Sequence, residues 1–277
     1  MKKILAVLLA ALMLFSFAAC GGDKTNTDAN TNTDVAASDL ADVKAKGKLV
    51  IGYTEFAPMN YYDADGNFVG FETEFAKAIC AELGVEAEFQ LIKWSAKETE
   101  LNSKNIDCIW NGMTITPERE EAFSISTPYM ANKQVLVVRA EDADKYTSAA
   151  AMKDVAVVAE QESAGEEVIT TDPFFADAKY TAVVDMATAL KEVKAMTADA
   201  CVVDYVTSIG MIGEGTDYAD LVVVDGAAFA DEQYGIAFRN GSDITAAVNA
   251  AITKLVENGK LAEIAANYKL SEQIIAK

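Results

Sequence analysis

The 277-residue chain reads as an α/β protein with sheets covered by helices on both faces. Three observations predict this. Short β-branched and apolar runs alternate with helical segments over most of the chain, the pattern of parallel strands joined by helical crossovers. Several runs, such as Ala200 to Val203, are apolar on every residue, as in strands buried on both faces. The length suffices for two lobes or one large domain, and no internal repeat is visible.

Taken in order, Lys48 to Gly52 is a strand, and Asp65-Gly66 is a hairpin turn between Tyr61-Tyr62 and Phe68-Val69. Glu72 to Leu83 is a helix, because Phe75, Ile79 and Leu83 stack on one face and Gly84 ends it. Glu86 to Ile92 is a strand, Ser95 to Ser103 a polar helix, and Ile106 to Trp110 a buried strand opening into a polar loop. Ser124 to Tyr129 is irregular and Gln134 to Arg139 is a strand. Strands follow at Val155 to Ala159, Tyr180 to Val184, Ala200 to Val203, Leu221 to Val224 and Tyr234 to Phe238. Ser163 caps a helix through Ile169, Asp185 caps one through Met196, and two more run from Ile244 to Asn258 and from Lys260 to Tyr268.

Composition excludes several classes. The net charge of −20 argues against nucleic acid or anionic lipid as a partner of the folded surface. There is no histidine, so Ser-His-Asp and Cys-His catalysis are excluded and zinc is disfavoured. Cys20, Cys80, Cys108 and Cys201 show no metal spacing, and the last three fall in apolar runs, where a thiol behaves as a small hydrophobe. No metal, cofactor or catalytic residue is expected.

Met1 to Ala19 has a basic start, an apolar run from Ile4 to Phe17 and small residues before Cys20, which is the form of a secretory signal. Phe17-Ala18-Ala19-Cys20 resembles a bacterial lipobox, whose cysteine is lipidated. Gly21 to Asp39 is rich in Asn, Thr, Asp and Ala, too polar to fold, and is expected to act as a tether.

One stretch stands out chemically. In Trp110-Asn111-Gly112-Met113-Thr114-Ile115-Thr116-Pro117-Glu118-Arg119, Thr116 is a good N-cap and Pro117 suits the first helical position. Arg119 is then a cation at the positive end of a helix. It binds either an anion, together with the loop N–H groups, or a neighbouring acid such as Glu120 or Glu121.

These segments carry a resemblance. GKLVIG, APMNYYDADGNFVGFETEFAKAI, NIDCIWNGMTITPEREEAFSISTPY, QVLVV, ADACVVDY and YGIAF, in this order from about Lys48 to Tyr268, resemble the polar amino-acid-binding, family 3 solute-binding proteins of ABC importers. The resemblance implies the type II periplasmic-binding-protein-like fold, with two lobes, two crossovers and a ligand in the interlobe cleft. Lobe one would take residues 40–132 and 232–277, lobe two 133–231, with crossovers near Lys133 to Val138 and Asp231 to Ile236.

By the same resemblance, Arg119 holds the α-carboxylate of a free amino acid, Gly112 and Thr114 contact it through N–H and hydroxyl, and Asp204 pairs with the α-ammonium. Phe56 and Trp94 flank the ligand side chain, and Ser163 donates from lobe two in a loop, Glu160 to Gly165, that departs from the common Gly-Thr-Thr pattern. Glu55, beside Phe56, is a candidate acid for a basic side chain or else a solvated turn residue. Asp204 is alternatively a helix cap. Cys80 matches half of a short disulfide in some relatives, but Ala87 stands at the partner position, so free thiols are expected. The implied partner is an ABC permease, with the protein monomeric, outside the membrane and held to it by Cys20. Competing readings are a dehydratase on the same fold and a ligand-sensing module.

Overall fold

A computed structural model describes residues 38–277. The expected signal, Cys20 and the tether up to residue 37 lie outside the described residues. Ser38 and Asp39, expected to end that tether, instead open helix α1 (Asp39–Lys46). The Ser38 hydroxyl accepts from the Ala41 N–H at 3.0 Å and so caps the helix, while Asp39 pairs with Arg239 at 3.0 Å. Val43 is fully buried and Leu40 packs beside it on the lobe-one core, which anchors this otherwise polar helix.

The chain continues through β1 (Lys48–Tyr53), the hairpin β2 (Tyr61–Tyr62) and β3 (Phe68–Val69), α2 (Phe71–Leu83), β4 (Glu86–Leu91), α3 (Lys97–Asn102), β5 (Cys108–Thr114), α4 (Pro117–Ala122), β6 (Phe123–Ile125) and β7 (Met130–Arg139). Then come β8 (Ala156–Glu160), α5 (Ala164–Thr171), β9 (Lys179–Val183), α6 (Met186–Lys194), β10 (Ala200–Asp204) and α7 (Tyr205–Met211). The long strand β11 (Leu221–Arg239) leads to α8 (Ile244–Glu257) and α9 (Lys260–Asn267).

Nine of the strands form one sheet, ordered β4-β1-β5-β11-β7-β10-β8-β9 with β6 paired to β11, and β2 and β3 pair separately. Pairing is parallel within β4-β1-β5 and within β10-β8-β9, as the strand–helix alternation predicts. It is antiparallel where β11 meets β5, β6 and β7, and where β7 meets β10. The sheet is therefore mixed, because two strands join two parallel lobes. Met130 to Lys133 pair with residues 231–234 of β11, and further along Val135 to Arg139 pair with residues 221–228. β11 runs unbroken where two separate strands were expected, absorbing the intervening turn residues as register shifts between Val223 and Ala228 and between Phe229 and Asp231.

Each lobe has a core on both faces of its strands. In lobe one Leu49, Ile51, Phe75, Ile79 and Trp110 pack with α8 and α9, and Val50, Leu101, Ile109 and Met113 pack on the other side. Burying α2 residues such as Phe75 and Ile79 stabilises by roughly 1.5–3 kcal/mol each. In lobe two Val157, Ala159 and Val202 face α5, and Val158, Cys201 and Val203 face α6. Cys80, Cys108 and Cys201 are free and buried, and burial pushes their thiols above the ordinary range. The lobes touch through α7, whose Val206 and Ile209 reach the lobe-one core and whose Gly210 leaves room only for Pro58.

Candidate functional site

The cleft between the lobes is lined by the C-terminal ends of β5, β8 and β10 and the first turns of α4, α5 and α6. Trp94, Asn111, Gly112, Thr114, Arg119, Glu160, Ser163, Met186 and Asp204 surround it. Six of the eight candidate residues thus converge.

Arg119 stands in the first turn of α4, with Thr116 as N-cap and Pro117 next, as the sequence predicts. The Thr116 hydroxyl accepts the Arg119 N–H at 3.3 Å, and the guanidinium donates to the Thr114 carbonyl at 2.8 Å. No carboxylate oxygen of the described residues lies within 4.0 Å of it, so the expected alternative of a pair with Glu120 or Glu121 is not formed. Burial weakens its hold on the proton, and the fields of Glu232, Glu167 and Asp204 strengthen it.

Asp204 ends β10 and is 3% exposed. It makes no capping hydrogen bond to α7, so the cap alternative is not realised. Its carboxylate accepts from Asn132 Nδ2 at 2.9 Å and from Gln134 Nε2. Both amides also donate to Glu232, at 2.8 Å from Asn132 and at 3.0 Å from Gln134. Burial and the neighbouring Glu232 push Asp204 up to about 8, and burial raises Glu232 as well. The sequence points to Asp204 but not to its neighbour Glu232, an acid of the crossover strand β11 that turns inward to 6% exposure.

The Gly112–Thr114 loop proves to be the end of β5. Gly112 has φ +59°, and a Cβ there would lie 2.6 Å from the Phe56 ring, so glycine is required for that ring to close the floor. Its N–H does not face the cleft as expected but donates to Glu72 Oε1 at 2.8 Å. The Thr114 hydroxyl likewise points inward, donating to Glu232 Oε2 at 3.2 Å. Glu72, also missed, is fully buried beneath the loop and further accepts from Asn60 at 2.8 Å and from the Tyr129 hydroxyl. Burial outweighs these three donors and lifts it to about 7. An acid in the first turn of α2 looks like an ordinary dipole partner, which concealed it.

Trp94 is 6% exposed and donates its indole N–H across the cleft to the Glu162 carbonyl at 3.1 Å. Lys97 lies over the Trp94 ring at 4.8 Å and reaches the Glu162 carboxylate at 3.5 Å. Ser163 caps α5, accepting from the Glu166 N–H at 3.2 Å. Phe56 sets its ring against Gly112 and lines an adjoining groove with Tyr61, Tyr62, Ala187 and Asp217. Glu55 belongs to that groove alone and is exposed, so the structure sets it apart from Arg119 and Asp204. The acid on the Arg119–Asp204 cleft itself is Glu160.

Comparison with known proteins supports the same picture. The arginine-binding extracellular protein ArtP of Bacillus subtilis is 28% identical over 99% of this chain and all of its own length. The L-cystine-binding protein TcyJ of Escherichia coli is 30% identical over 80% of this chain and 82% of its own. A crystal structure of the amino acid ABC transporter substrate-binding protein AbpA from Streptococcus pneumoniae, bound to L-arginine, superposes with a TM-score of 0.74 and 28% identity, covering 83% of this chain and 98% of that one. All three are amino-acid- or cystine-binding proteins, the last of them the substrate-binding protein of an ABC transporter. The two-lobed sheet crossed by β7 and β11, the cleft at its strand ends and a family model matching residues 49–271 make the chain a member of the bacterial extracellular solute-binding proteins, family 3.

Proposed function

We propose that this chain captures a free basic amino acid outside the membrane and delivers it to the permease of an amino-acid ABC importer. One observation carries the reading: Arg119, a guanidinium without a carboxylate partner among the described residues, shares a cleft with a buried carboxylate, Asp204. A zwitterion supplies the missing charge to each at once. Arg119 takes the α-carboxylate, Asp204 the α-ammonium, Trp94 and Phe56 the side chain, and Gly112, Thr114 and Ser163 shape the carboxylate end.

A basic side chain is favoured by charge. Arg119 and Lys97 are outnumbered by the buried acids Asp204, Glu160 and Glu232, and Lys97 is already engaged by Glu162. A neutral zwitterion leaves the acids it does not meet to keep their protons, whereas a cationic side chain gives one more of them a counter-charge on ionising. Arginine-binding relatives support the same choice. The reading places the lobe boundaries at 132/133 and 231/232, with acylation of Cys20 as the anchor of a monomer.

A thermal-shift panel of the twenty amino acids and cystine tests it. A ligand at a hundred times its Kd stabilises by about 2.7 kcal/mol. Arginine or lysine is expected to give the largest shift. If no amino acid moves the melting curve, the reading fails.

A further inference from the structure

Among the described residues, Glu160 is the acid of the cleft without a hydrogen-bond donor. It ends β8 at 4% exposure, and its Oε1 is wholly buried with no partner among the described residues. Asp204 and Glu232 each take two or more donors, and Glu72 takes three. A buried carboxyl left bare is costly, and native proteins seldom keep one without a use.

The sheet register shows which part of a ligand Glu160 would meet. β8 and β10 run parallel, with Val157 beside Ala200 and Val158 beside Cys201. Side chains alternate along each strand, so Glu160 falls on the α6 face with Val158, and Asp204 on the α5 face with Val202. The two acids stand at neighbouring strand ends but diverge. On Glu160's side Met186 lines the same cleft, and Ala187 opens into the groove beyond Phe56. The nearby cation Lys97 is held by Glu162 at 3.5 Å.

We propose that Glu160 selects the side chain: its carboxylate accepts the N–H donors of a guanidinium or ammonium, while Arg119 and Asp204 hold the main-chain charges. This deepens the amino-acid-receptor reading and rests on it. It also moves side-chain selection from Glu55 to the opposite lobe.

Calorimetric titration of the full-length protein, purified in mild detergent, with arginine, lysine and the uncharged arginine isostere citrulline tests the assignment. Wild type is expected to bind arginine about 100-fold more tightly than citrulline, and Glu160→Gln to erase most of that ratio by weakening arginine and lysine while holding citrulline within about threefold. Three results overturn it: arginine affinity unchanged in Glu160→Gln, an equal loss for citrulline, or discrimination lost in Glu55→Gln with Glu160→Gln silent. The wild-type ratio stands as a separate check should the variant not fold. Wild type preferring citrulline or another neutral amino acid overturns this proposal and leaves the receptor reading intact, whereas no binding of any amino acid removes both.

Discussion

Arg119 is partly buried in the six-residue α4, and among the described residues the one acceptor of its guanidinium is the Thr114 carbonyl. Such a residue is held in readiness for an anion. Arg119→Ala is expected to weaken every amino acid by about 3–5 kcal/mol, because the ligand carboxylate would enter the cleft unpaired; titration calorimetry reads this directly. The acids facing it bring a pH dependence. Asp204 and Glu160 are raised to about 8 and Glu72 to about 7, all chiefly by burial. A raised carboxyl binds its proton more tightly in the folded state, so its contribution to stability is complete below the unfolded value near 4 and is lost as pH climbs through 8. The ligand-free protein should therefore lose melting temperature between pH 5 and 8.5, while arginine affinity rises over the same interval as Asp204 ionises. Glu160→Gln should flatten the first trend. Arg119 and Asp204 were legible in the sequence because their spacing belongs to a pattern. Glu160 and Glu232 were not, since a chain of letters does not say which acids turn inward.

At the scale of elements, the end of β5 rests on Glu72 from α2, and this support fixes where the cleft floor lies. Gly112→Ala would place a Cβ 2.6 Å from the Phe56 ring at a φ of +59°. It is expected to cost about 1–3 kcal/mol of stability in chemical denaturation and to weaken binding with it. α2, α6 and α8 could be read closely from periodicity and caps, for instance Asp185, whose carboxylate takes the Thr188 N–H at 2.7 Å. α7 escaped notice because Tyr205–Met211 is short and held by packing on the other lobe rather than by its own pattern. The sequence predicts two strands where β11 is one, because Asp225-Gly226 bulges out between the Val223 and Ala228 pairings with β7, Gly226 having φ +75°, and the strand resumes beyond it.

At the scale of the whole molecule, the lobes meet behind the cleft through α7, where Val206 and Ile209 pack on the lobe-one core and Gly210 on Pro58, and across the cleft through Trp94 and Lys97 with Glu162. The proposed capture of a ligand makes closure a two-state motion biased by contacts made only when shut. Trp94→Phe keeps an aromatic wall and removes one cross-cleft hydrogen bond. It should raise the dissociation constant about fivefold, the equivalent of about 1 kcal/mol, chiefly through a faster off-rate in stopped-flow measurements. The order of lobes was readable from the resemblance, but these cross-cleft contacts were not, since they join residues with no shared motif. The Trp94 contact also makes the molecule its own optical gauge. The chain has two tryptophans, and Trp110 is locked in the lobe-one core edge-on to Phe75. Any change in indole emission on adding ligand therefore reports the single ring whose N–H spans the gap, and the opening and shutting of the cleft can be timed without attaching a dye.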